Sequence, residues 1–450
     1  MEIPLTDTRS AALAPVIRKV TARLIPILLL MYILAFLDRS NLGFAKDAFQ
    51  ADTGISNAAY ALGAGIFFLG YAVFEVPSNM LMQRVGAKVW LARIMISWGI
   101  VSALMMFAVN EPMFYLLRVL LGIAEAGFFP GVIWYLTKWI PVEHRARVNG
   151  LFYFGAPLAF IFGGPLSGLL LDLDGLGGMH GWQIMFLVTG VLTVIVGLVC
   201  IGYLDNGPRD AKWLTQQQKD LLIAALERED ASKADHSPRG ALRALANPAV
   251  LYFAVAYLTI QMAVYGITFY LPSTIGTVVG EDVGLMVGLL TAAVWSFAIV
   301  GVIIATRIAD RTGQRRVVAA VTLGLSAIGI LLSVLVEQPV LVLLALALGA
   351  AGFIAVQPVF WTLPTSFLVG GAAASGIALI NSIGSLGGFL APIVKNAADE
   401  AFGAAGGSYA LAAIAAAGAI LIACSHLVSR AVRTIGERTE ASAVVAEEAR

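Results

Sequence analysis

Charge is what this sequence has least of. Of its 450 residues only 13% are Asp, Glu, Lys or Arg, while 59% are hydrophobic and the mean hydropathy is +0.86. A water-soluble domain of that length could not hide so much apolar surface, so the composition indicates a polytopic membrane protein. Cysteine is nearly absent. Cys200 and Cys424 both sit in apolar runs, where a thiol behaves as a small hydrophobe, and no disulfide is expected. No GxxxxGK[ST], HExxH or CxxC pattern occurs, which removes the usual signatures of ATP-driven transport and of metal chemistry. A net charge of +1 gives no reason to expect nucleic acid as a partner. No nucleophile and base pairing stands out, so an enzyme is not expected, nor is a cofactor.

What is present is a series of long apolar runs. Stretches able to cross about 30 Å of hydrocarbon lie near 24–45, 58–82, 87–109, 112–140, 147–171, 182–204, 248–276, 284–309, 317–336, 339–368, 372–395 and 408–429. The expected fold is therefore all-α, with twelve transmembrane helices in two groups of six. The domain reading is an N-terminal bundle over 1–204, a polar linker over 205–246, a C-terminal bundle over 247–430 and a tail over 431–450. In the linker, Thr215 and Gln218 form a capping-box pattern ahead of KDLLIAALERE, which predicts a short amphipathic helix. The first apolar run is too long for a signal-peptide core and lacks a cleavage site, so it is read as a retained span.

Orientation follows from the basic residues. Of the 29 Lys and Arg, 25 fall in the N-terminal segment, the 2–3, 4–5, 6–7 and 8–9 loops and the C-terminal tail, which predicts that both termini and the linker face the cytoplasm. Arg39 and Arg118 are the only basic residues placed well inside spans.

The two groups of six resemble each other. QRVGAKVWLA from Gln83 and DRTGQRRVVA from Asp310 stand 227 residues apart, and the same shift sets Pro165 on Pro392 and Trp134 on Trp361. A duplicated six-helix unit is implied, and parallel six-helix repeats around a midplane cavity are the architecture of major facilitator transporters. Under that shift Asp38, Arg39, Arg118 and Glu125 correspond to Tyr265, Gly266, Ala345 and Gly352. Buried charge is thus expected in one half only.

Charge at bilayer depth costs about 2.5 to 17 kcal/mol depending on how it is measured, so intramembrane ionisable residues are functional candidates. Five qualify: Asp38, Arg39, Glu75, Arg118 and Glu125. Asp38 and Arg118 share a depth and could pair. Arg118 and Glu125 are seven residues apart and project from one helix face, whereas Asp38 and Arg39 diverge by about 100°. Two arginines against three acids leave at least one carboxyl without a full partner, and Glu125 is the best candidate proton carrier. Glu75, late in the second span, is either a helix-end contact or a gate residue.

LDRSNLGFA, EVPSNMLMQRVGAK, RVLLGIAEAGFFPG, GPRDAKWLT and NSIGSLGGFLAP together resemble the anion:cation symporter family of the major facilitator superfamily. Within it the chain is most similar to bacterial phthalate, 4-hydroxyphenylacetate and tartrate permeases. The resemblance implies a bacterial inner-membrane importer of small organic anions, coupled to protons or sodium; protons are the expected coupling ion, and a monomer in the bilayer is the expected working form. It assigns proton coupling to Asp38 and Glu125 with Arg118 as partner, and the substrate carboxylate to Arg39. It also places Tyr71 and Asn381 on the substrate side. Gln83 stands where the superfamily usually has aspartate, while the 8–9 loop keeps Asp310. Arg84, Asp310 and Arg311 are accordingly candidates for gating, with Glu75.

A carboxylate needs a cation, and arginine's planar fork suits it bidentately. The uncharged half would bind by hydrogen bonds and apolar contact, through Gln261, Tyr265, Gln357, Trp361 and Asn381. Two alternatives share the fold. A proton-coupled drug antiporter would also carry buried acids, and GGPLSG at 163–168 is similar to the glycine-proline motif of that class, although small residues in membrane helices more often serve close packing. An anion exchanger would need arginines from both halves.

Overall fold

The computed structural model describes residues 5–231, 248–365 and 371–448. The end of the expected linker, 232–246, and the last two residues of the tail lie outside the described residues. Every regular element described is helical. Eleven helical stretches among the described residues are long and apolar enough to cross a membrane: Leu13–Thr53, Asn57–Val85, Ala87–Phe107, Glu111–Thr137, Val142–Leu171, Gly181–Tyr203, Pro248–Thr268, Leu285–Thr312, Arg315–Leu335, Pro339–Pro364 and Gly406–Leu427. The remaining expected span, 372–395, falls on the 32-residue helix Gly371–Phe402. These are called the first to twelfth spans in chain order, with Gly371–Phe402 the eleventh.

Local chemistry explains where several of them begin. Ser56 accepts a hydrogen bond from the Ala59 amide at the start of the second span, and Asn110 accepts one from the Met113 amide at the start of the fourth. In the linker, the helix Gln216–Ala231 opens on the expected reciprocal cap: Gln218 N donates to Thr215 Oγ1 at 3.3 Å and Thr215 N to Gln218 Oε1 at 3.2 Å. Its far end is pinned to the first turns of the fifth span, where Arg145 donates to both Glu229 oxygens at 2.9 and 3.0 Å. Large apolar side chains such as Val73, Phe162 and Ile420 stay exposed on the bundle, as a surface solvated by lipid requires.

Packing divides the chain into two compact units, Met1–Asp235 with Phe269–Ala292, and His236–Thr268 with Ala293–Arg450. Within the first unit the first span packs on the fifth and the third on the sixth; within the second, the seventh packs on the eleventh and the ninth on the twelfth. Those are the same pairs six spans on, as the 227-residue repeat predicts.

Phe269–Ala292 joins the first unit through specific contacts. The Tyr60 hydroxyl donates to Leu42 O at 3.0 Å and lies 3.4 Å from Phe269 O. The Leu285 amide donates to Asp172 Oδ2 at 3.0 Å. Gly164 and Gly288 meet backbone against backbone, with no room for a Cβ on either, while a Cβ on Gly168 would strike the Gly284 carbonyl and one on Gly284 the Asp172 carboxylate. The small residues of GGPLSG therefore serve close helix packing.

Candidate functional site

Spans one to four bring the charged residues together inside the first unit. Gly122 makes this possible, because a Cβ there would strike the Phe67 carbonyl and hold the second and fourth spans apart. At the resulting separation Arg118, 2% exposed, reaches across to the second span. Its Nε donates to Gly63 O at 3.0 Å and its Nη2 to Ala64 O at 3.1 Å. Helix carbonyls retain a second lone pair after their i+4 bond, so they can accept these donors without breaking the helix.

Arg39 does not stand ready for a ligand. Its Nη2 donates to Glu125 Oε1 at 2.5 Å, with the Glu125 side chain fully buried and that of Arg39 13% exposed. Three rings surround its guanidinium, with centroids at 5.3 Å for Phe36, 5.4 Å for Phe67 and 5.3 Å for Tyr71. Phe67 serves both arginines, since the Arg118 guanidinium lies 4.9 Å from the same ring. Asp38, one residue before Arg39, points elsewhere and accepts a hydrogen bond from Ser102 of the third span. The indole of Trp98 is close enough to act on that carboxyl, but its N–H falls outside hydrogen-bond geometry.

The expected Asp38 to Arg118 pair is not formed. Their charges interact through space, yet Arg118 spends its donors on carbonyls and Asp38 takes a hydroxyl. The direct ion pair is Arg39 with Glu125. Depth along the bilayer places two residues at one level but leaves open which way each helix faces, and the two helices face so that Arg39 is the residue turned to the fourth span.

Glu75 belongs to this cluster and not merely to the helix end. It is buried, its charge interacts with Arg39, and it lies one turn below Tyr71. Among the described residues Glu75 Oε2, Glu125 Oε2 and Asp38 Oδ2 accept no hydrogen bond. The fourth span breaks directly after Glu125: Gly127 takes φ 85°, which only glycine adopts freely, and the chain bends against Ser78 and Asn79 of the second span. That break fixes the carboxyl at the end of a helical segment. Phe67 escaped the sequence reading, although Phe67, Tyr71 and Glu75 recur at intervals of four and so form one stripe on the second span.

The second unit carries the uncharged candidates. Gln261 and Tyr265 are buried on the seventh span, while Gln357, Trp361 and Asn381 are partly exposed. Tyr257 was missed by the sequence reading and is central to this group. It stacks on Phe360 at 5.4 Å and meets Trp361 edge-on at 4.8 Å. It also packs against Gly384, while Gln261 packs against Gly387, so the glycines of NSIGSLGG admit these two side chains. Spacing of four from Gln261 would have found it. Arg84, Asp310 and Arg311 lie exposed at span ends, outside either group.

The long apolar helices, the cluster of buried charges in the first unit and the internal repeat agree with the family comparison. Residues 28–392 match the model of the Major Facilitator Superfamily, and the chain belongs to that superfamily. It is a multi-pass membrane transporter of a small molecule, not an enzyme. It is 47% identical over 414 residues to the inner membrane transport protein RhmT of Escherichia coli (strain K12), covering 92% of this chain and 96% of that one. It is 41% identical over 413 residues to a protein of Agrobacterium vitis provisionally named a tartrate transporter, covering 91% and 90%. It is also 41% identical over 377 residues to a quinolone resistance transporter of Acinetobacter baumannii, covering 84% and 87%.

Proposed function

We propose that the protein imports a small organic anion, a hydroxy, sugar or aromatic acid, together with protons. The observation that carries this reading is the buried Arg39–Glu125 ion pair, held at 2.5 Å beside a further carboxyl, Glu75. Breaking such a pair by neutralising only one member leaves an uncompensated buried charge, which is strongly unfavourable. Protonating Glu125 therefore releases Arg39 only if another anion takes its place, and a substrate carboxylate matches the guanidinium fork. Proton and anion are thus required together, which is symport. Tyr71 and Phe67 hold the guanidinium in place during the exchange. Asp38, bonded to Ser102, carries a second proton and modulates Arg118 by charge. Sodium is not needed in this scheme, and a monomer suffices for it.

The uncharged residues of the second unit, Tyr257, Gln261, Tyr265, Gln357, Trp361 and Asn381, then select among acids without titrating. The likeness to a protein named for tartrate supports an anion as cargo. With both termini cytoplasmic, as the basic loops indicate, transport would run inward across the bacterial inner membrane.

The test is uptake into proteoliposomes from a panel of hydroxy, sugar and aromatic acids, with and without an imposed pH gradient. Accumulation of one acid class under an inward proton gradient supports the reading. The likeness to a quinolone resistance transporter favours a second reading, proton-coupled drug antiport. Gradient-driven extrusion of a quinolone, with no acid taken up, would establish that one instead.

A further inference from the structure

A second cationic site lies away from the transport cluster, at the end of the first unit that carries the linker helix. Lys19, Ala22, Arg23, Tyr203 and Trp213 line an open cleft of about 380 Å³. Lys19 and Arg23 stand one turn apart, just before the apolar run that begins at Leu24, and Tyr203 is the last residue of the sixth span. The cleft is therefore at the boundary between hydrocarbon and water.

Its arginine is held, unlike a side chain that merely snorkels. The Arg23 guanidinium lies 4.5 Å from the Tyr203 ring centroid and 5.1 Å from that of Trp213. Both rings are themselves fixed. The Tyr203 hydroxyl donates to Arg23 O at 2.9 Å, and the Trp213 indole donates to Asp205 Oδ2 at 2.9 Å while stacking on Trp139 at 5.6 Å. Among the described residues neither Lys19 nor Arg23 has a carboxylate within ion-pair distance, and Arg23 Nε donates to no acceptor. Lys19 Nζ makes one hydrogen bond, to Gln218 Oε1 at 3.1 Å, which leaves its remaining donors for a ligand. Asp205 accepts the Trp213 indole N–H and keeps its charge, but it makes no ion pair with Lys19 or Arg23 among the described residues.

Two unneutralised cations, one oriented by aromatic faces, select a phosphate. The geometry points to this cleft as a binding site for the headgroup of an anionic phospholipid, its phosphate held by Lys19 and Arg23. A lipid is favoured over free phosphate because the walls, Ala22 and the ring of Tyr203, are apolar and open at the membrane boundary. Because Gln218 both caps the linker helix and receives Lys19, the bound lipid would couple the linker to the first span.

The experiment uses the full chain purified in detergent. Thermal unfolding and native mass spectrometry are followed while phosphatidylglycerol, phosphatidylcholine or inorganic phosphate is added. Phosphatidylglycerol should be retained and raise the unfolding temperature, whereas phosphatidylcholine and phosphate at equal concentration should not. Lys19→Gln with Arg23→Gln should weaken phosphatidylglycerol binding at least about tenfold, and Lys212→Gln, an exposed linker lysine outside the cleft, should leave it unchanged. Should the double variant fail to fold, Lys19→Gln alone, on an exposed side chain, should weaken binding roughly threefold or more. Wild-type binding by these variants, equal loss in Lys212→Gln, or an equal shift with inorganic phosphate would each overturn the proposal.

Discussion

Arg39 and Glu125 come from different helices, 86 residues apart in sequence, and meet in a 2.5 Å ion pair inside the first unit. The pair accounts for the cluster around it, because three aromatic rings orient the guanidinium and a helix break fixes the carboxyl. An anion that reaches Arg39 has to replace Glu125.

Arg39→Lys keeps the charge and loses the planar fork, along with the fit to Phe36, Phe67 and Tyr71. Affinity for the transported acid should fall at least about tenfold, or about 1.4 kcal/mol. Counterflow at varied substrate concentration measures this, and an unchanged half-saturation would remove Arg39 from the binding site.

Glu75 interacts with Arg39 by charge but makes no direct ion pair with it. On the proposed reading it competes with the incoming anion. Glu75→Gln should tighten substrate binding by a few-fold, since a charge pair at moderate separation near a partly solvated site is worth roughly 1 kcal/mol. Weaker binding would mean that Glu75 positions the substrate rather than competing with it.

These residues show how far sequence alone could be read. The spans, the linker cap and the confinement of buried charge to one half follow from hydropathy, spacing and the 227-residue repeat. The 100° divergence of Asp38 and Arg39 correctly requires different partners for them. Which partner each takes depends on the rotation of every helix about its own axis, which close contacts such as those of Gly122 and Gly127 with the second span help to fix. No pattern within a single span contains this information. Tyr257 and Phe67 look like ordinary core aromatics for the same reason, since their role appears only once another span lies against them.

Ser102 is buried and donates to Asp38. Ser102→Ala strands a buried carboxyl and should lower stability by about 1–3 kcal/mol, with Ser102→Thr recovering most of the loss. Unfolding temperature in detergent gives the first readout. The pH range over which uptake is driven should also move in Ser102→Ala, and a stability change without that movement would leave Ser102 a purely structural residue.

Gly164 is packed against the backbone of Gly288. Gly164→Ala should cost about 1–3 kcal/mol through overpacking while leaving the ranking of transported acids as it is. A variant with wild-type stability and altered ranking would show instead that the GGPLSG segment acts in substrate choice.

The most direct test of proton-anion exchange at Arg39 is Glu125→Gln, which holds the partner of Arg39 permanently in an uncharged form. Counterflow and gradient-driven uptake are compared in the same proteoliposomes. The account predicts that the variant still exchanges substrate across the membrane, because Arg39 can take the anion, but no longer accumulates it against a gradient. Accumulation at the wild-type level would contradict the account and leave Asp38 or Glu75 to carry the coupling proton.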